Sequence, residues 1–177
     1  MDFKVLSSEH LYQGRVFDLW REKVQYPDGR VGGIEFIKHG GAVTILPIDD
    51  QGRIWFVRQY RHPTGIELLE LPAGTLEPGE DPAECAAREL REEIGMAADQ
   101  LTRLGEFFLA PGYSTEYMYV FLGRGLRIDP LEQDTGELII VEKYSVEEVW
   151  QMVKNGEIKD AKTLAILSLA REWVSPD

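Results

Sequence analysis

The run Tyr117-Met118-Tyr119-Val120-Phe121-Leu122 constrains the fold more than any other stretch of the chain. Side chains of a strand alternate between two faces, so a strand that is apolar at consecutive positions must be covered from both sides. It predicts a central strand with further layers above and below. The rest of the sequence supplies candidates for those layers. Residues 16–26 and 31–38 read as strands joined by Pro27-Asp28-Gly29, and residues 43–48 and 54–60 as a second hairpin around Asp49-Asp50-Gln51-Gly52. Further strands are expected over residues 66–71, 106–109 and 138–144.

Three helices carry start and stop signals. The first takes Asp81 as N-cap, Pro82 at the first helical position, Glu84 as the second half of a capping-box-like pair, and Gly95 as its stop. The second starts at Ser145, with Glu148 three residues on, and ends at Asn155-Gly156. The third spans residues 161–174, with Leu164, Leu167, Ala170 and Trp173 expected on its buried stripe. Strands dominate, helices flank them and the order does not alternate strictly, which predicts an α+β fold with helices packed on a mixed sheet.

Charge and composition then exclude whole classes of function. The 177 residues are enough for one well-buried domain, and there is no internal repeat or low-complexity linker. A formal net charge of −12 repels phosphate backbones and anionic lipid, so neither nucleic acid nor membrane is an expected partner. No apolar run is long enough to span a bilayer, and Met1-Asp2-Phe3-Lys4 does not open a signal peptide. The single cysteine, Cys85, excludes an internal disulfide and fits a reducing, cytoplasmic setting. His10, His39 and His62 lack metal-ligand spacing, so any metal is expected to be a hard ion held by oxygen.

The first helix concentrates carboxylates in a way that asks for a counter-charge. Glu89, Glu92 and Glu93 lie three and four residues apart on one face, where like charges cost roughly 0.2–0.5 kcal/mol per pair. Ala83, Ala87, Leu90 and Ile94 read as the opposite, apolar stripe that pins the helix to a core. A divalent cation would reverse the repulsion, since it would become the largest local charge. The bland alternative is a solvated acidic face relieved by Arg88 and Arg91.

The wider spacing favours the cation. Gly74, Glu80, Arg88, Glu89, Leu90, Glu92, Glu93, Gly95 and Met96 satisfy GX5EX7REUXEEXGU, with U a bulky apolar residue, at every position. At ordinary residue usage the seven fixed letters coincide by chance on the order of 10⁻⁹ per start position. This segment resembles the Nudix box, a loop–helix–loop that binds magnesium or manganese and hydrolyses nucleoside diphosphates linked to another moiety. The resemblance implies a Nudix-type α/β/α sandwich. It makes Glu89, Glu92 and Glu93 metal ligands or near-ligands, joined by the Ala73 carbonyl, while Gly74, Glu80 and Arg88 hold loop and helix together.

Flanking residues narrow the resemblance. Gln59-Tyr60-Arg61, then Glu70-Leu71-Pro72-Ala73-Gly74, and the loop Ala110-Pro111-Gly112-Tyr113-Ser114-Thr115-Glu116 look like the ADP-ribose pyrophosphatase branch of that superfamily. By this likeness Arg61 would contact the diphosphate, Glu70 would line the site and Glu116 would bind the terminal ribose. That matches the preference of guanidinium for phosphate and of carboxylate for a diol. Arg58 and Arg61 as strand-edge solvation, and Glu116 as an ordinary loop carboxylate, stay open alternatives. Relatives carry their general base in a late acidic loop; here that loop is Glu132-Gln133-Asp134-Thr135-Gly136-Glu137, and Glu137 is the expected base with Glu92 as second choice. Cys85 reads as a buried inert thiol. Trp20, Phe17 and Tyr113 are candidates to stack on a base, or else core. The branch also implies a homodimer built through a β-hairpin extension, residues 1–40, ahead of a hydrolase domain over residues 41–177. The expected reaction is ADP-ribose to AMP and ribose 5-phosphate. GDP-mannose or another nucleotide sugar is the alternative substrate, and a non-cleaving ADP-ribose-binding module the alternative class.

Overall fold

The computed structural model describes residues 2–132 and 138–174. In chain order the elements are β1 (Lys4–Gln13), β2 (Phe17–Gln25), β3 (Val31–His39), β4 (Ala42–Pro47), β5 (Ile54–Arg61), β6 (Ile66–Glu70), β7 (Ala73–Thr75), α1 (Pro82–Glu93), β8 (Met96–Phe108), β9 (Tyr117–Ile128), β10 (Ile139–Tyr144), α2 (Val146–Lys154) and α3 (Ala161–Leu169). The chain divides into two compact units, one of residues 1–41 with 108–117, the other of residues 42–107 with 118–177. The fold is mixed α+β, and among the described residues no helix is long and apolar enough to cross a membrane.

In the first unit β1, β2 and β3 form an antiparallel meander. The segment around Ser114 is stitched to β3, with Ile37 N–H donating to Tyr113 O at 2.8 Å and Thr115 N–H to Ile37 O at 2.9 Å. Strand β1 is absent from the sequence-based expectation. It is exposed along nearly its whole length, so neither face carries the apolar alternation by which a strand is recognised.

The second unit is layered about β4 and β9, which pair in parallel, Ala42 opposite Met118 through Pro47 opposite Gly123. Their sheet runs β7-β4-β9-β8 and is mixed, since β7 is antiparallel to β4. Strand β9 is covered on both sides, as its composition requires. Val120 and Leu122 join a core with Val149 of α2 and Ile166 and Leu167 of α3, while Phe121 joins another with Cys85, Ala86 and Leu90 of α1. Each fully buried side chain such as Leu90 or Phe56 contributes about 1.5–3 kcal/mol to this arrangement.

The expected hairpin of residues 43–48 and 54–60 does not form. A lone bridge, Ile48 to Ile54, links β4 and β5, and β5 instead sits between β6 and β10 in a separate antiparallel sheet. Strand β4 is wholly buried and β5 is buried from Ile54 to Val57, so nothing in the periodicity of those stretches distinguishes one partner from another. Strand β8 is far longer than the expected residues 106–109; its Ala-Ala-Asp-Gln start has little intrinsic strand preference, so packing and not local propensity extends it. Helix α2 matches its signals, with the reciprocal Ser145–Glu148 capping box formed. Helix α3 stops at Leu169 and buries Thr163, Ile166 and Leu167, with Ala170 just beyond, while Leu164 and Trp173 are exposed. The helix is apolar nearly all round, so hydropathy alone cannot choose its buried line.

Candidate active site

Helix α1 is set by its ends. Asp81 accepts a hydrogen bond from Ala83 N–H at 2.8 Å, Pro82 follows, and Ile94 N–H closes the last turn on Leu90 O at 3.2 Å. Among the described residues Glu84 returns no hydrogen bond to the Asp81 backbone, so the capping box is only half formed. Gly95 follows with φ +69, a left-handed conformation that ends the helix without a Cβ penalty. The buried face differs from the expected Ala83–Ala87–Leu90–Ile94 stripe. Ala83 is exposed, and the line that packs runs through Cys85, Ala86, Leu90 and Ile94, flanked by Glu89 and Glu93. Glu89 is 8% exposed and Glu93 4%, so these carboxylates are not a solvated surface.

Arg88 organises the box. Its Nε and Nη2 donate to the two oxygens of Glu80 at 2.9 and 3.0 Å, Nη2 also reaches Thr75 O at 3.3 Å, and Nη1 donates to Glu89 at 2.7 Å and Glu92 at 2.9 Å. Glu80 also accepts from Glu77 N–H at 2.9 Å. The Arg88 hydrogen bonds outweigh partial burial and hold the Glu80 carboxyl down at about 2. Loop and helix are thus tied through one bidentate pair. Arg91 does not relieve the acidic cluster. It bonds the backbone and side chain of Asp129, at 3.1 and 3.3 Å.

The two buried carboxylates converge on β7. A Cβ on Gly74 would lie 1.8 Å from the Glu89 carboxyl group, so only glycine leaves room for that group to rest where it does. Glu93 accepts from Ala73 N–H at 3.0 Å. The Ala73–Gly74 backbone and the Glu89 and Glu93 side chains therefore meet, with Glu92 half-buried beside them. Among the described residues no three His, Cys, Asp or Glu side chains form a ready-made metal-ligand cluster. The donor set nonetheless suits a hard divalent ion, because it is all carboxylate and carbonyl oxygen, and the Gly74 cradle brings Glu89 onto the β7 backbone.

Next to the box lies a second group of charges. Strand β5 pairs Arg61 opposite Ile66 and Val57 opposite Glu70, which places Arg61 and Glu70 on one face of the sheet. Arg61 Nε and Nη2 donate to the two Glu70 oxygens, each at 2.7 Å. Glu70 is 1% exposed and is also held by Lys162 of α3. Burial opposes its ionisation, yet the Arg61 and Lys162 cations prevail and keep its carboxyl below the usual value. The Glu70 hydrogen bonds raise Arg61, and the charges of Glu93 and Asp160 act in the same direction. Thr163 Oγ1 accepts from Leu71 N–H at 2.9 Å and donates to Asp160, the α3 N-cap, at 2.6 Å. On the same face of β5 as Arg61, the Gln59 Oε1 is buried with no hydrogen-bond partner among the described residues.

Sequence reasoning missed Lys162, Asp160 and Thr163. The signal was slight: Asp160 three residues before Thr163 is an N-cap pattern, but nothing local says that the helix start faces Glu70. Arg58 belongs elsewhere, since Glu142 takes its Nε and Nη2 at 2.6 and 3.1 Å on the opposite face. Glu116 lies in the first unit, where its N–H donates to Ser114 Oγ at 3.1 Å. The first unit also holds the exposed Phe17 and Tyr113, and Trp20, whose ring stacks on His10 at 4.6 Å. Glu137 lies outside the described residues. Cys85 is fully buried, and that burial pushes its thiol well above the ordinary range, leaving it an inert group.

Comparisons with known proteins bear on this arrangement. The NUDIX domain model matches residues 38–166. An ADP-ribose pyrophosphatase of Bacillus subtilis (strain 168) is 38% identical over 165 residues, which cover 92% of this chain and 89% of that protein. The methanol dehydrogenase activator of Bacillus methanolicus is 34% identical over 163 residues, 91% of this chain and 88% of its own. A crystal structure of an ADP compounds hydrolase superposes with a TM-score of 0.87 over 98% of this chain and 95% of its own, at 26% identity.

Proposed function

This chain belongs to the NUDIX domain family, and from that premise we propose that it hydrolyses the diphosphate of ADP-ribose to AMP and ribose 5-phosphate, using magnesium, with manganese as a substitute. The observation that carries the reading is the meeting of Glu89 and Glu93 with the Ala73–Gly74 backbone, beside the Arg61 fork. A diphosphate is repelled by carboxylates alone, so it needs cations between itself and the helix.

Glu89, Glu92, Glu93 and the Ala73 carbonyl would hold the ion. When bound, the metal supplies Lewis-acid polarisation of the phosphoryl group and a water of lowered pKa. The remaining work falls to the protein's own groups. Arg88 and Glu80 keep the loop and α1 in register so that the ligand carboxylates share one direction. Arg61 meets the diphosphate with the edge of its guanidinium not committed to Glu70. Glu137 takes the proton of the attacking water, with Glu92 as the second choice. Glu116 accepts hydrogen bonds from the terminal ribose hydroxyls. The first unit, residues 1–40 in the main, serves as a dimerisation extension of a hydrolase domain over residues 41–177, and the protein works as a homodimer in the cytoplasm.

The decisive experiment incubates the protein with magnesium and a panel of nucleotide sugars and dinucleoside diphosphates, with product identification. Release of AMP and ribose 5-phosphate from ADP-ribose, abolished by chelation, is the expected result. No metal-dependent cleavage of any panel member overturns the enzyme reading. Faster turnover of GDP-mannose moves the substrate assignment to that sugar nucleotide.

A further inference from the structure

Lys162 has no part in the chemistry set out above, yet it is held as tightly as the groups that do. It ion-pairs with Glu70 on one side and lies 3.0 Å from Asp160 on the other, with its side chain 12% exposed. We propose that Lys162 is a positioning residue that aims Arg61 at the substrate diphosphate by fixing Glu70, and the proposal rests on Arg61 as the diphosphate contact.

The geometry supports this link by link. A guanidinium has five N–H donors in a planar fork, and a bidentate carboxylate sets the orientation of that plane. Arg61 places Nε and Nη2 on Glu70, while Nη1 makes no hydrogen bond among the described residues. The side chain remains 37% exposed, so Arg61 is open to solvent while Glu70 holds its fork. The plane holds only if Glu70 holds. Glu70 is a carboxylate out of water, and one cation would be asked both to satisfy it and to meet the substrate. Lys162 removes that conflict by supplying a second cation to the same Oε2. Lys162 is fixed in turn, because Asp160 Oδ2 is bound to Thr163 N–H at 2.9 Å as the α3 cap, and Thr163 binds the Leu71 backbone next to Glu70. A chain of charge-assisted contacts thus runs from the start of α3 to the fork of Arg61.

A purely structural Lys162 would alter stability and leave substrate affinity alone. The test compares wild type, Lys162→Met, Lys162→Arg, Arg61→Ala and the Arg61→Ala/Lys162→Met double variant, measuring KM and kcat for ADP-ribose and Tm for each. Lys162→Met is expected to raise KM about tenfold with kcat within about threefold, and Lys162→Arg to recover most of that loss. The double variant should be no worse than Arg61→Ala, because Lys162 acts through Arg61. Multiplicative losses in the double variant, or a lowered Tm with KM unchanged, overturn the proposal. Should Lys162→Met not fold, Lys162→Gln, which keeps a donor to Glu70 without the charge, takes its place under the same criteria. A wild type that leaves ADP-ribose intact, or Arg61→Ala with an unchanged KM, overturns the reading of the site and this proposal with it. An Arg61-dependent but Lys162-independent KM overturns this proposal alone.

Discussion

The box on α1 and the cluster at the start of α3 are both built from carboxylates and cations, but their charge balance differs. Around α1 the four carboxylates of Glu80, Glu89, Glu92 and Glu93 stand with one guanidinium, that of Arg88. In the other cluster Arg61 and Lys162 balance Glu70 and Asp160 one for one. The first has more carboxylates than cations, with the Arg88 guanidinium shared among Glu80, Glu89 and Glu92. The second is neutral overall, and its Arg61 side chain stays 37% exposed. On the function proposed above, two clusters of like composition would divide the work, one holding metal and the other orienting an anion. The difference lies in the ratio of carboxylates to the cations that bond them.

Metal removal should act through the first cluster alone and should have the largest effect. Chelation is expected to lower ADP-ribose hydrolysis more than about a thousandfold, with recovery on adding magnesium or manganese, as followed by product release. Activity indifferent to chelation would break the division of labour. Glu137→Gln tests whether the base lies outside both clusters. Its kcat should fall by at least about two orders of magnitude while metal binding, measured by calorimetry, persists; near-normal turnover removes Glu137 from the role.

Gly74→Ala should evict the Glu89 carboxylate from its cradle. A loss of about a hundredfold in kcat at nearly unchanged Tm is expected, since a displacement near 1 Å is enough for that. Arg61→Ala, in the second cluster, should show the opposite signature, a KM raised about tenfold with kcat largely kept. If both variants changed the same kinetic constant, the contrast between the clusters would be lost.

The smallest effect concerns stability. Glu80 is ionised in the fold down to about 2, below its ordinary value of 4.5, chiefly because Arg88 bonds it. Its contribution is fully present above the unfolded-state value and is lost as pH falls through that window. Unfolding curves of wild type and Glu80→Gln should therefore differ most above pH 5 and converge towards pH 2. A gap that is constant with pH would show that Glu80 does not act through its charge.

Much of the first cluster was legible because its members lie within a single loop and helix. Three- and four-residue spacing is enough to place Glu89, Glu92 and Glu93 together, and Asp81, Pro82 and Gly95 mark the helix ends. What the spacing misjudged was rotation. Ala83 and Ala87 are as apolar as Ala86, and which of them turns inward depends on the sheet beneath. The second cluster was only half legible, since Arg61 and Glu70 drew attention through their neighbours but Lys162, some ninety residues on, did not.

The chain by itself determined the two-sided burial of residues 117–122, the capped ends of α1 and α2, and the acidic spacing on α1, because each depends on residues within a few turns of one another. Tertiary structure decided that β4 pairs with β9 and not with β5, and that Glu89 settles against Gly74. It also decided that the start of α3 meets Glu70. Those outcomes depend on which distant surfaces come together, and strands buried on both faces carry no periodic mark of their partners.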